Sequence, residues 1–252
     1  MNRILLPAQH PFRGIAEKLN RSHENIKNLE AEIARFFQES EYPLLSNDEG
    51  KIIREAVEYH RKLPVPLRFS VLSGEIIHHL RSCLDHIVWH FSNGEYRREH
   101  MGWIEFPILK DRPSSAHVFT KYERKIKGIT DTRVLGLVER VQPYNGSGSL
   151  NSNLLAIHKF DIMDKHRTLV IFASTGAFEF PIDMVQRYRP NPSETTINAP
   201  PDLVAELKRQ GKLVPQVAFS DFAGGESEPV IQALAGMHNA VISIVSECNR
   251  FL

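Results

Sequence analysis

The chain has 252 residues, 42% of them hydrophobic, which is enough for a substantial buried core and excludes a mainly disordered state. Lys and Arg total 31 against 30 Asp and Glu, a formal net charge of +1, so no bulk positive field draws the protein to nucleic acid or anionic lipid and any RNA contact needs a local patch. The two cysteines, Cys83 and Cys248, sit in apolar helical patterns, which excludes a disulfide framework and points to a reducing, cytoplasmic compartment.

The apolar run near Met1 is too short for a signal segment, and no later stretch approaches a membrane span, so neither secretion nor membrane insertion is expected. After Pro11, residues Phe12, Ile15, Leu19, Ile26, Leu29, Ile33 and Phe36 recur at spacings of three and four, interrupted only by Ser22. This predicts a helix over 11–39, roughly 40 Å long, that packs lengthwise against another long helix. The interval 41–66 mixes signals, and the partial alternation of Ile53, Val57 and Tyr59 leans to a strand. A second helix is expected from residue 70 or 73 to about 92, with Asn93-Gly94 as its stop. Ile104-Glu105-Phe106-Pro107-Ile108 reads as an edge strand, because proline cannot donate to a ladder.

Helices are expected over 115–129 and 132–141, then a loop over 142–149, then a helix from residue 151 or 152 towards Asp161 and Arg167. The run Leu169 to Ala173 continues as strand or helix, and 187–201 reads as a long surface loop. After Pro229, a stripe from Val230 through Leu234, Met237, Val241, Val245 and Cys248 to Leu252 predicts a last helix that partners the first. The expectation is one mainly α domain over 1–252, with a helical core from 1–100 and 229–252 and a mixed α+β insertion at 101–228.

The helix around Arg81 has an unusual surface. Its apolar residues fill a sector about 140° wide, while Glu75, His79, Ser82, His86 and His90 occupy the opposite side, flanked by His78, Arg81, Asp85 and Trp89. Solvated faces are usually rich in Lys and Glu, so this composition points to an interface or a site.

The strings Leu80-Arg81-Ser82-Cys83-Leu84-Asp85-His86, Gln142-Pro143-Tyr144 and Asp164-Lys165-His166-Arg167 resemble the motifs of an uncharacterised bacterial family over residues 70–172. The first string also contains Arg-x4-His, which is similar to the signature of the HEPN ribonuclease superfamily. That resemblance implies a HEPN-like helical bundle, a homodimer, and metal-independent RNA cleavage by Arg81 and His86 meeting across the dimer interface. By family analogy it also implies a toxin or anti-phage effector with an antitoxin or other regulatory partner. The superfamily commonly has Asn, Asp or His after the arginine, where this chain has Ser82.

The chemistry fits these residue types, since attack by a ribose 2′-hydroxyl needs a base near neutral pKa and a cation beside the phosphate. His86 would be the first and Arg81 the second, with Asp85 counted beside them as catalytic. His79, Ser82, His90, Lys165, His166 and Arg167 would bind substrate, and no metal or other cofactor is implied. Three other readings stay open. Arg81 and Asp85, at i and i+4, can form an ion pair while Asp164 to Arg167 simply ends a helix. The polar face can serve a non-catalytic dimeric interaction module. His79, His86 and His90 with Glu75-x2-His78 can bind a metal. Phosphate-loop, dinucleotide, zinc-protease and nucleophile-elbow motifs are absent from the sequence.

Overall fold

The computed structural model describes residues 3–40, 62–169, 171–179, 212–220 and 228–252. Helix α1 (Arg13–Glu39) buries Ile15, Leu19, Ile26, Leu29 and Ile33, the three-and-four stripe read from the sequence. Its partner is α2 (Leu67–Phe91), which starts three residues before the earlier expected bound because Pro66 occupies its N-cap. The two run antiparallel. Phe12 meets Phe91 edge-on at 6.1 Å at one end, and Phe36 meets Phe69 at 5.8 Å near the other.

Chain order continues with α3 (Gly94–His100), a 3-10 turn (Met101–Trp103), α4 (Ala116–Ile126), α5 (Thr132–Arg140), a second 3-10 turn (Pro143–Asn145) and α6 (Ser149–His166). Strands β1 (Ile171–Glu179), β2 (Lys212–Phe219) and β3 (Glu228–Pro229) form one antiparallel sheet in the order β1-β2-β3, and α7 (Val230–Asn249) completes the fold. The protein is therefore mainly helical with a small sheet. No helix among the described residues is long and apolar enough to cross a membrane.

Helices α1, α2, α6 and α7 form the bundle, so α6 joins the core although the sequence reading assigns it to the insertion. Ile76, Leu80, Leu84, Leu154, Ile157, Leu234 and Val241 are buried in one continuous cluster. Close approach of α6 and α7 uses Gly236, where a Cβ would lie 2.9 Å from Asn153 Oδ1. Buried His238 bonds through Nε2 to the Leu19 carbonyl oxygen at 3.0 Å and so ties α7 to α1. Phe160 of α6 stacks on Phe219 of β2 at 4.6 Å, which fixes the sheet to the bundle.

Four expectations change. Asn93 follows the end of α2 but is the N-cap of α3, accepting from the Tyr96 N–H at 2.8 Å, so Asn93-Gly94 starts a helix as well as stopping one. Residues 104–108 are not a strand; side chains, and no neighbouring strand, bond the Phe106 N–H and carbonyl and the Pro107 carbonyl. Strand β2 was not anticipated. The last helix stops at Asn249, short of Leu252. The readings for Ile53, Val57, Tyr59 and the 187–201 loop fall outside the described residues.

Candidate functional site

Helix α2 presents two polar edges, and the structure sends them to different neighbours. Arg81 lies on the inner edge with a side chain only 5% exposed. Its Nη2 donates to Asp85 Oδ1 at 2.9 Å and to the Phe106 carbonyl at 2.8 Å, and reaches Glu105 Oε2 at 3.4 Å. Asp85 Oδ1 in turn accepts from the Phe106 N–H at 2.8 Å. The i, i+4 ion pair therefore grips both polar groups of one residue in the extended segment. Gln142 continues this role, accepting from Leu109 N–H at 3.1 Å and donating to the Pro107 carbonyl at 2.8 Å.

Burial pushes the Asp85 carboxyl above its ordinary range against the opposing pull of Arg81 and the Phe106 N–H. Burial also opposes ionised Glu105, but its 2.6 Å contact with Lys125 and the charge of Arg81 outweigh it and hold the carboxyl low. His158 is held neutral first by burial and then by the charges of Arg81 and Lys125. Farther along this seam, Asp161 is 4% exposed and takes Lys165 at 2.6 Å and His78 at 3.4 Å. Lys165 is thus engaged within α6, while His166 and Arg167 are exposed at its end. The Asp164 carboxylate crosses over Gly74 of α2, where a Cβ would collide with it.

The outer edge faces α1. Arg21, Asn25, Asn28, Glu32 and Arg35, at three-and-four spacing on α1, line one cleft with Arg68, Leu72 and Glu75 of α2, and farther along the charge of Lys18 reaches His79 and His86. A polar groove about 25 Å long follows from this spacing at 1.5 Å per residue. One end is closed by Arg68, which holds Glu32 through two bonds of 2.8 and 3.0 Å. At the other end lie His79, His86 and His90. Burial depresses the proton affinity of all three imidazoles, and Lys18 is the next cause for both His79 and His86. One ammonium on α1 thus lies near two neutral rings.

Lys18 pairs with no carboxylate among the described residues, and the buried Nδ1 of His79 has no hydrogen-bond partner there. His86 is exposed, so its ring is available to a ligand. Arg81 and His86 do not meet within one chain. Five positions separate them by about 140° around the helix, and Arg81 turns inward. Ser82 lies on the groove side, whereas Asp85 belongs to the Phe106 clamp. Sequence reasoning missed Lys18, Glu105 and Lys125. The α1 polar stripe was a signal for Lys18, but only packing reveals the other two.

Among the described residues, no group of three or more His, Cys, Asp or Glu side chains converges in a way that could hold a metal ion. Both cysteines are buried free thiols whose burial pushes them up to about 12, so neither supplies a thiolate near neutral pH. Comparison with protein-family models, curated proteins and solved structures gives no significant match to this chain.

Proposed function

We propose that the protein is a metal-independent, HEPN-like endoribonuclease that cuts RNA in the α1–α2 groove, with His86 as general base and Lys18 as the cation beside the phosphate. The observation that carries this reading is one ammonium near two imidazoles held neutral. A neutral His86 accepts the ribose 2′-hydroxyl proton as that oxygen attacks phosphorus and the bond to the 5′-oxygen breaks. Lys18 offsets the charge that develops on the phosphoryl oxygens. Phosphate entering beside His79 raises that ring's proton affinity and readies it to protonate the leaving oxygen. Arg81 and Asp85 hold the helix against the 104–108 segment and act at a distance. Lys165 and the residues after it lie on the other edge of the bundle and contact only an RNA that wraps around it.

The test incubates the chain, His86→Ala and Lys18→Ala with mixed cellular RNA in excess chelator while circular dichroism confirms folding. Wild type should leave 2′,3′-cyclic phosphate ends and spare DNA, and each variant should lose about 10²–10⁴-fold activity. Equal cleavage by folded His86→Ala refutes the assignment.

A second reading, a non-catalytic homodimeric module, is favoured by two exposed tryptophans. Trp89 and Trp103 are 38% and 43% exposed and lie under Arg97 and Arg124 at 5.8 and 4.2 Å. Trp and Arg dominate interface hot spots. Light scattering should then show a dimer that Trp103→Ala dissociates, and a strict monomer removes this reading.

A further inference from the structure

Towards its Arg68 end the groove between α1 and α2 widens into a cleft of about 300 Å³. That volume lies at the low end of the roughly 300–1,000 Å³ range of small-molecule sites, so it accepts one small ligand and no folded element. Its wall contains a polar side chain that the fold leaves free to bond a ligand. Asn25 is 5% exposed in the middle of α1, lines the cleft, and makes no side-chain hydrogen bond among the described residues. The Asn25 amide atoms are not among the buried groups left without a partner, so they reach solvent through the cleft, where a ligand offering both a donor and an acceptor can take the place of water.

The surroundings define that ligand. Leu72 supplies the apolar wall, Arg21, Arg35 and Arg68 supply cations and Glu32 and Glu75 carboxylates; Arg68 neutralises Glu32, while Arg35 pairs with no carboxylate among the described residues. Arg21 pairs only loosely with Glu24, at 3.6 Å, and its charge also reaches His79. The cleft and the histidine end are thus electrostatically continuous. Asn25 lies seven residues from Lys18, about 10 Å along the helix.

Resting on the proposed reading of this groove as an RNA site, we infer that the cleft is a subsite for one nucleoside monophosphate unit of the substrate. The Asn25 amide reads adjacent donor and acceptor groups on the base edge, as amides do on adenine. Leu72 packs on the base face. Arg21 receives the phosphate and directs the chain towards Lys18 and His86.

Calorimetric titration of the full chain with AMP, GMP, CMP, UMP and inorganic phosphate tests this inference. Expected is saturable 1:1 binding of at least one mononucleotide, with phosphate at least about tenfold weaker. Asn25→Leu should weaken that nucleotide about tenfold, the equivalent of one or two net hydrogen bonds. Leu72→Asp should abolish binding, and it carries the test if Asn25→Leu does not fold. The inference is overturned if no nucleotide saturates the folded wild type, if phosphate binds as well as every nucleotide, or if both folded variants bind like wild type. Mononucleotides contain no bond for the enzyme to cut, so nucleotide binding without RNA cleavage supports the subsite while removing the nuclease. RNA cleavage without nucleotide binding overturns the subsite alone.

Discussion

Replacing Arg81 by methionine keeps much of the buried stem volume and deletes the guanidinium that holds Phe106. The Phe106 residue is fully buried, so its carbonyl is left without a donor, at about 1–3 kcal/mol. Asp85 also loses its ion partner. Breaking one side of a buried pair costs about 3–5 kcal/mol, but the Asp85 side chain is 31% exposed and water replaces part of that interaction. The sum expected is about 2–4 kcal/mol, or roughly 5–15 °C in Tm for a protein of this size. Chemical denaturation of wild type, Arg81→Met, Asp85→Leu and the double variant measures both the loss and its coupling. The double variant should cost about 1–3 kcal/mol less than the sum of the singles. Stability of Arg81→Met within about 0.5 kcal/mol of wild type, or strict additivity, would refute the clamp and return Arg81 to the candidates for phosphate contact.

Gly74→Ala should lower Tm because the new methyl meets the Asp164 carboxylate, and adding Asp164→Ala should restore most of the loss; an unrescued double variant refutes that origin. Gln142→Leu should cost about 2–4 kcal/mol in urea unfolding, since one buried amide serves Leu109, Pro107 and Val138. Stability should also fall on acidification. Burial lowers the folded pKa of His238 below its ordinary 6.5, so the unfolded chain takes up the proton first. Its contribution is fully present above about 6.5 and is lost as pH falls through the folded value. His238→Gln can still donate to the Leu19 carbonyl without titrating and should flatten the pH–Tm curve below neutrality, and an unchanged slope assigns the effect elsewhere. RNA cleavage, in turn, should persist down to a pH below 6.5 and fall only as His86 protonates, which a pH–rate profile checks.

The long helices were legible because burial repeats every three or four residues, and α1, α2 and α7 each bury the face their pattern marks. The 104–108 segment misled because alternation reports which side chains face inward, not what bonds the backbone. Its partners are Arg81, Asp85 and Gln142, distant in sequence and carrying no strand signal. Asn93-Gly94 was half legible, since the same dipeptide suits a helix end and a helix cap. At the candidate site, α2 revealed both of its polar edges but not that they diverge. Their separation depends on α1 covering one edge and α6 the other. The proximity of Lys18 to His86 is likewise a product of packing between helices.

The clamp on Phe106 also bears on what this surface cannot do. An extended run with bare backbone groups invites another chain to add itself as a further strand. Here the Phe106 N–H and carbonyl, the Pro107 carbonyl and the Leu109 N–H are all occupied by side chains from α2 and from Gln142, and Pro107 has no N–H to offer. The centre of the segment is insulated against strand addition without belonging to any sheet. The guard resides in three side chains, each at least 20 positions away from the backbone group it covers, so losing one of them exposes a sticky edge while every residue of the segment stays unchanged.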